Sequence, residues 1–236
     1  AVALTEQGVK TTVVEMLPYI LPRMLDQDMA QEVQGRLEEK GIRIIVSHAA
    51  EEILGDETVK GVSVAGEEIP ADLVINAAGV RPSTELAQQA GLIIGETRGI
   101  KTNIRMQTSI KDIYAAGDCA ETIHMVTQGP ALPALGTTAV RQGRVAGTNA
   151  AGGYALYPGA LMSAVSQMFD LEVGATGLTE FWAARYGVDL IVGRITGHTR
   201  ATYYPGALLI KVKLLVEKET KRVVGGQIVG GEDVTQ

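Results

Sequence analysis

The first fifteen residues, AVALTEQGVKTTVVE, constrain the fold of this chain more than any other stretch. The segment before Gly8 is typical of the end of a helix, and Gly8 stands where a helix C-cap is expected. The β-branched run of residues 11–14 then predicts a short strand, which ends at Glu15. A helix that leads through a glycine into a strand is half of a βαβ unit, so we expect an α/β layer architecture.

The acid at the end of this strand has a functional interpretation. In dinucleotide-binding βαβ units an acidic residue in this position binds ribose hydroxyls, about 20 residues after the first glycine of a G-x-G-x-x-G loop. Glu15 is only the fifteenth residue, and the chain contains no G-x-G-x-x-G. We therefore expect a piece of a longer protein, with the glycine loop before residue 1. Taken alone, Glu15 also fits a solvated acid at a strand end.

Periodicity and turn residues predict the remaining elements. Helices are expected at residues 26–41, 84–90, 136–151 and 179–186. Strands are expected at residues 42–46, 51–53, 59–64, 67–69, 72–77, 113–116, 190–196, 207–216 and 223–229. The strands at 51–53, 59–64 and 67–69 are expected to form an antiparallel meander. The predicted fold is a set of α/β Rossmann-like layers followed by an α+β domain with an antiparallel sheet.

Charge and residue content exclude several classes of protein. A net charge of −6 argues against a nucleic-acid-binding protein, which needs a basic face. The longest apolar stretch, residues 207–216, contains two lysines and is far shorter than the roughly 20 residues of a membrane-spanning helix. The single cysteine excludes an intrachain disulfide and fits a reducing, cytoplasmic setting. No metal-binding spacing relates the three histidines, His48, His124 and His198.

The stretch IYAAGDCAE, residues 113–121, places Gly117 and Asp118 just beyond a predicted strand. Ligands bind at the carboxyl ends of strands in open α/β sheets, and a carboxylate there can accept a hydrogen bond from a polyol hydroxyl. A turn or helix-cap aspartate is the alternative. The adjacent Cys119 has no neighbouring His or Lys in the sequence to lower its pKa, so we interpret it as a small buried hydrophobic residue.

The stretch LGTTAVRQGR begins a predicted helix after a glycine. The free N–H groups and the dipole make the first turn of a helix positive. This end can stabilise negative charge on a ligand, and the alternative is an ordinary capped helix of the core.

Several motifs follow one another in a single order: AAGVRP, TSIKDIYAAGDCAE, LGTTAVRQGR, FDLEVGATGLTE and YYPGA. This order resembles the pyridine nucleotide-disulfide oxidoreductase family. The nearest branch holds NADH oxidases, NADH peroxidases, coenzyme A-disulfide reductases and NAD(P)H sulfur reductases. The resemblance implies FAD-binding, NAD-binding and interface domains in a homodimer. It predicts part of the NAD-binding domain at residues 1–95, the C-terminal part of the FAD-binding domain at 96–153 and the interface domain at 154–236.

The resemblance also implies roles for individual residues. Asp118 would bind the ribityl chain of FAD, and Gly117 would allow its close approach. The backbone of Leu135, Gly136 and Thr137 would face the pyrimidine edge of the flavin.

For the second cofactor, Glu15 would favour NAD, and Gly79 of AAGVRP would approach the nicotinamide, unless it is simply a turn glycine. At most one of Tyr203 and Tyr204 would reach the active site of the partner subunit, and a packed interface tyrosine is the alternative.

The implied activity is hydride transfer from NADH to FAD and onward reduction of a cysteine-based centre, with oxygen, peroxide, coenzyme A disulfide or sulfur as final acceptor. The family's redox cysteine lies on an N-terminal segment that this chain lacks, so we expect the chain alone to be inactive. An NADH-dependent rubredoxin, ferredoxin or nitrite reductase component is an alternative, against which YYPGA counts. A non-catalytic dimerisation or NAD-sensing module is another.

Overall fold

The structure is a computed structural model, which describes residues 1–231 and residue 234. Its helices are α1 Val2–Glu6, α2 Gln27–Glu39, α3 Glu85–Gln89, α4 Gly136–Ala150 and α5 Glu180–Arg185. Its strands are β1 Thr12–Val14, β2 Arg43–Ile45, β3 Ala50–Gly55, β4 Val59–Val64, β5 Glu67–Pro70, β6 Ile100–Lys101, β7 Ala120–Ile123, β8 Pro130–Ala131, β9 Ala164–Met168, β10 Leu171–Gly177, β11 Leu190–His198, β12 Leu209–Glu217 and β13 Val223–Gly230.

The contacts divide the chain into two compact units. One unit comprises residues 1–78 and 165–236, and the other comprises residues 79–164. Within the described residues, no helix is long and apolar enough to cross a membrane.

The first unit begins as the sequence predicts. Helix α1 gives way at Gly8, whose φ of +77° is the left-handed conformation that glycine adopts at a helix C-terminus. Strand β1 then pairs in parallel with β2, and α2 connects the two. One face of α2 is buried and made of Met29, Ala30, Val33 and Leu37. A parallel pair with a crossover helix is the βαβ geometry expected from the first fifteen residues.

Strands β3, β4 and β5 form the predicted antiparallel meander. Ala65 and Gly66 join β4 to β5 with φ values of +53° and +78°. Positive φ at both central residues is the geometry of a two-residue hairpin turn whose twist matches the strands.

The C-terminal part of this unit is a five-stranded antiparallel sheet in the order β11-β12-β13-β10-β9. Val173 and Val229 of this sheet lie in one core with Val33 and Leu37 of α2. The predicted antiparallel sheet is therefore confirmed, and one of its faces is covered by residues from the N-terminal half of the unit.

Two predicted strands are wrong. Residues 72–77 form no strand, and Leu73 and Ile75 are 67% and 65% exposed. Residues 113–116 contribute only a single bridge, between Tyr114 and Gln107. An apolar run becomes a strand only if a neighbour completes its hydrogen-bond ladder, and within the described residues neither run has a continuous partner strand.

The second unit carries a small mixed sheet, in which β6 pairs in parallel with β7 and β7 pairs antiparallel with β8. Its core contains Met106, Ala115, Ala120 and Tyr157. Helix α4, predicted at residues 136–151, occupies Gly136–Ala150. The loop before β7 and the start of α4 are the segments that the sequence singled out for ligand binding.

Candidate functional site

Residues 117–120 form a tight turn, called here the Gly117 turn, immediately before β7. The carbonyl oxygen of Gly117 accepts a hydrogen bond from the N–H of Ala120 at 3.0 Å. Gly117 has a φ of +85°, and a Cβ built on it would meet only the Cβ of Ala139, at an ordinary 3.7 Å. The conformation of the turn, rather than a lack of space, therefore requires glycine here.

Asp118 follows in an exposed position. Its carboxylate takes no hydrogen bond and no ion pair from the part of the chain that the structure describes. An aspartate that caps a turn or a helix would spend an oxygen on a nearby N–H, so the structural alternative from the sequence has no support in these contacts. Because the residue is exposed, its oxygens are available as acceptors for an external donor.

The first turn of α4 presents free backbone donors. Leu135 is the N-cap in an extended conformation, and no side chain of the described residues caps the helix. Gly136 and Thr137 are exposed, and the first hydrogen bond of the helix runs from Ala139 N–H to the Leu135 carbonyl at 2.9 Å. The N–H of Leu135 donates to the Pro133 carbonyl at 2.9 Å, whereas the amides of Gly136 and Thr137 have no acceptor within the helix. This end therefore attracts negative charge or a hydrogen-bond acceptor.

One side chain joins these two segments. The Oε1 atom of Gln142, on α4, accepts a hydrogen bond from the N–H of Gly117 at 2.8 Å. Gln142 is fully buried and was not among the residues predicted from the sequence. A signal was present, because Thr138, Gln142 and Asn149 recur along one helical face that is buried, where apolar residues are the rule.

This arrangement fits the flavin cofactor that the motifs imply. FAD presents polyol hydroxyls, which need an acceptor such as Asp118, and an electronegative ring edge, which needs donors such as the first amides of α4. Both kinds of group are exposed in the second unit, and one hydrogen bond links the segments that carry them.

In the first unit, Glu15 lies directly after β1. Its N–H donates to the Ile45 carbonyl at 2.8 Å, which extends the parallel pairing by one step. Its Oε1 accepts from the N–H of Leu17 at 2.9 Å. The carboxylate is thus fixed by its own backbone at the carboxyl end of the parallel pair, where nucleotides bind in such sheets.

Gly79 begins the second unit with a φ of +114°, and a Cβ built on it would meet nothing within 4 Å. The backbone conformation alone accounts for the glycine. Its approach to the nicotinamide stays a prediction.

Tyr203 and Tyr204 lie in the loop between β11 and β12, and their side chains are 82% and 58% exposed. Their ring centroids are 4.9 Å apart, and the N–H of Tyr204 donates to the Ala201 carbonyl at 2.9 Å. Both phenol groups are therefore available at the surface of this chain.

The reactive side chains of His124 and Cys119 form hydrogen bonds with backbone groups of the chain. Burial lowers the pKa of His124, and its Nδ1 accepts from the N–H of Val126 at 3.2 Å, so the ring is neutral with its proton on Nε2. Cys119, predicted to be a small buried hydrophobic residue, is half-buried and packs against the core of the second unit, and its thiol donates to the Ala116 carbonyl at 3.7 Å.

The densest group of charges lies in the first unit around Lys213, whose side chain is fully buried. Its Nζ lies 2.9 Å from Asp26 Oδ2 and 2.6 Å from Asp28 Oδ1, and it also pairs with Glu180. Arg194 pairs with Asp28 at 2.6 Å and with Glu180 at 3.0 Å. These five residues are called here the Lys213 cluster.

The three carboxylates of this cluster lie within 4.8 Å of one another, as metal ligands do. The ammonium group of Lys213 already stands among them and supplies the positive charge. Hydrogen bonds from Lys213 and Arg194 outweigh partial burial and lower the pKa of Asp28. Burial opposes the charge of Lys213, but the three carboxylates outweigh it and raise its pKa. The cluster is a closed ionic network rather than an open metal site.

The fold combines α/β elements with a C-terminal five-stranded antiparallel sheet, and comparisons with known proteins give its family. A family model described as pyridine nucleotide-disulphide oxidoreductase matches residues 1–143, and the dimerisation domain of the same family matches residues 164–236. The chain belongs to the pyridine nucleotide-disulphide oxidoreductase family, as the order of its motifs predicts. The domain boundaries expected from the sequence, at residues 95 and 153, stay predictions.

Individual relatives agree with this assignment. An NADH oxidase of Methanocaldococcus jannaschii is 49% identical over 98% of this chain and 51% of its own length. An NAD-dependent persulfide reductase from A. fulgidus superposes with a TM-score of 0.97 at 40% identity, over 99% of this chain and 44% of that one. A FAD-dependent member from Desulfovibrio vulgaris has a TM-score of 0.86 at 35% identity, over 97% and 55%. The chain thus spans about half the length of the relatives it matches.

Proposed function

We propose that this chain is part of a FAD-dependent NADH oxidoreductase that reduces oxygen, peroxide, coenzyme A disulfide or sulfur through a cysteine-based centre. When bound, FAD accepts hydride from NADH and passes the electrons on. The observation that carries the proposal is the pairing of an unpartnered acceptor, Asp118, with the uncapped start of α4 through the Gly117–Gln142 hydrogen bond. The redox cysteine would lie outside this chain, so the chain alone is expected to show no turnover.

Each half of the flavin site has a distinct task in this proposal. Asp118 accepts a charge-assisted hydrogen bond from the ribityl chain, and the left-handed Gly117 lets the chain pass close to the backbone. The amides of Gly136 and Thr137 stabilise negative charge at the pyrimidine edge, and Leu135, whose N–H already donates to the Pro133 carbonyl, contributes the extended backbone that leads into α4. That stabilisation favours the reduced cofactor.

We propose that Glu15 selects NADH over NADPH. Its carboxylate stands at the carboxyl end of β1, where it can accept from ribose hydroxyls and repel a 2′-phosphate. Replacing Glu15 with Gln keeps the acceptor and removes the charge. The ratio of kcat/KM for NADH to that for NADPH should fall about tenfold, whereas an unchanged ratio would contradict this role.

We propose that the complete protein is a cytoplasmic homodimer. Arg194 and Lys213 are register partners on β11 and β12 and share the covered face of the sheet. Side chains alternate along a strand, so Ile191, Ile195 and Leu214 point the other way, and they are 45%, 65% and 45% exposed. A second copy of the chain would cover this apolar face, which belongs to the segment that matches the family's dimerisation domain.

Light scattering of the complete protein tests the dimer. The mass should be twice that of one chain, and Ile195→Asp should shift it toward the monomer. A monomeric wild type would contradict this part of the proposal. In the dimer, Tyr203 or Tyr204 would reach the partner's active site, where coenzyme A is one candidate ligand.

The proposed activity is tested by purifying the complete protein and recording its visible spectrum without oxygen. A flavin spectrum that bleaches on addition of NADH is expected. A colourless protein that cannot be reconstituted with FAD would refute the proposal. The isolated chain serves as the control and should show no NADH consumption.

A further inference from the structure

We propose that Gln142 is a positioning residue of the flavin site, which holds the Gly117 turn against α4 and so sets the place of Asp118. The inference rests on the proposed function, because it assigns a role within the same site. It starts from a side chain that connects the two segments predicted to bind FAD.

The orientation of the Gln142 amide follows from its partner. The N–H of Gly117 is a donor, so the atom that faces it at 2.8 Å must be the oxygen Oε1. The other atom, Nε2, is then fixed as the nitrogen, and it is buried without a hydrogen-bond partner among the described residues. Exchanging the two atoms would place two donors face to face, so the unpaired Nε2 is a property of the site.

This balance makes Gln142 a poor stabiliser of the fold. The side chain satisfies one donor, the Gly117 N–H, and leaves another, its own Nε2, buried and unpaired. A leucine would remove the unpaired amide and leave the N–H of the half-exposed Gly117 open to water. The two choices are nearly equivalent for folding, so the Gly117–Gln142 bond matters chiefly for the shape of the turn.

The turn needs such a bond because the φ angle of a glycine is not fixed by its own side chain. Gly117 can adopt positive and negative φ with similar ease, and its φ of +85° is therefore held from outside. Its carbonyl bond to Ala120 closes the turn on one side, and the Gln142 bond fixes it to α4 on the other. Asp118 is the next residue, so the two hydrogen bonds of Gly117 also set the position of the Asp118 backbone.

The same helix offers a matched control. Asn149 is also a buried amide on α4, and the hydrogen bonds of its side chain go to Arg105 and Ala155 rather than to the Gly117 turn. Its Nδ2 donates to the carbonyls of Arg105 and Ala155 at 2.9 and 2.8 Å, and its Oδ1 accepts from the N–H of Ala155 at 3.0 Å. Asn149→Leu therefore removes a fully used amide from the same helix.

The test compares Gln142→Leu, Asn149→Leu and Asp118→Ala in the complete protein, by titrating each apoprotein with FAD and by thermal unfolding. Gln142→Leu should raise the FAD dissociation constant about tenfold and shift the visible band of the bound flavin, with little change in unfolding temperature. Asn149→Leu should lower the unfolding temperature and leave the dissociation constant within about threefold. If Gln142→Leu does not fold, the unbranched Gln142→Met replaces it.

The outcomes separate the two proposals. If Asp118→Ala weakens FAD binding but Gln142→Leu matches the wild type, or if the two leucine variants weaken it equally, the role of Gln142 is refuted and the flavin site stands. If the wild type binds no FAD, or Asp118→Ala binds it unchanged, the proposed function itself fails.

Discussion

The Lys213 cluster and the Gly117 turn differ in how their polar groups are used. The cluster brings together two cations and three carboxylates, and its members pair with one another inside the first unit. The turn in the second unit has few polar groups, yet Asp118 and the buried Nε2 of Gln142 have no partner among the described residues. The charged groups of the Lys213 cluster are paired with one another, whereas the carboxylate of Asp118 is available to an external donor.

This difference indicates which region stabilises the fold and which binds a ligand. Asp26 accepts from the N–H of Glu180 at 2.8 Å and from Gln227 Nε2 at 2.7 Å, so the cluster ties the start of α2 to α5 and β13. Its groups are already paired within the chain. At the Gly117 turn, the Asp118 carboxylate and Gln142 Nε2 have no hydrogen-bond partner among the described residues. Unpaired polar groups of this kind are typical of ligand sites.

The largest expected effect is on stability, from Lys213→Met. Removing the ammonium leaves the buried Asp26 without its paired cation and leaves Arg194 as the cation for Asp28 and Glu180. Breaking a buried pair in this way costs about 3–5 kcal/mol. Urea unfolding measures the loss. Lys211→Met is the control on the same strand, because its pair with Glu32 is partly exposed, and it should cost less than about 1 kcal/mol. Equal losses would contradict a structural role specific to the cluster.

A smaller effect is expected in acid, through Asp28. Its pKa lies below its ordinary value in the folded protein, so its contribution is present above pH ~4 and is lost as the pH falls through the folded pKa. Lys213 has a raised pKa, so its contribution is present at neutral pH and is lost only as the pH rises through that value. Asp28→Asn should therefore flatten the acid side of the stability curve, and it should flatten the alkaline side only in part, because Glu180 and Asp26 still raise the pKa of Lys213.

Urea unfolding between pH 2 and 7 measures this prediction. Asp170 titrates in the same window, because a hydrogen bond from Arg36 holds its pKa at about 2, so Asp28→Asn should remove only part of the acid dependence. Asp170→Asn is the companion variant. An acid limb unchanged by Asp28→Asn would show that the cluster does not depend on this carboxylate.

The smallest effect on stability is expected for Tyr203→Phe and Tyr204→Phe. Both side chains are exposed, so each change should stay within about 0.5 kcal/mol. Turnover with each proposed acceptor then separates the two residues. A tyrosine that reaches the partner's site should lower kcat when replaced, and two variants with wild-type turnover would leave both tyrosines structural.

The sequence predicts best what local spacing determines. Helices α2 and α4 have buried positions at helical spacing, and β12 and β13 are joined by a short polar turn, so all four elements were predicted with small errors at their ends. Strands β9 and β10 were missed. Phe169 turns between them with a φ of +56°, which is not a residue that signals a turn, and glycines interrupt the apolar pattern of β10.

Long-range pairings were beyond the sequence. Asp26 bonds to Gln227 across 201 positions, and no spacing rule relates residues so far apart. The Gln142 bond to Gly117 spans 25 positions and joins a loop to a helix. The sequence does locate both ends of the candidate site, because a glycine–aspartate pair and a helix start are local features. How they are held together required the structure.

The most direct test of the account is a paired measurement on Asp118→Ala in the complete protein: the FAD dissociation constant and the urea unfolding of the apoprotein. Asp118 has no partner in the described part of the chain, so the free energy of unfolding should stay within about 0.5 kcal/mol of the wild type. The dissociation constant should rise at least tenfold, the value of a lost charge-assisted hydrogen bond. Lower stability with unchanged FAD binding would contradict the account, because Asp118 would then be part of the fold and not of the cofactor site.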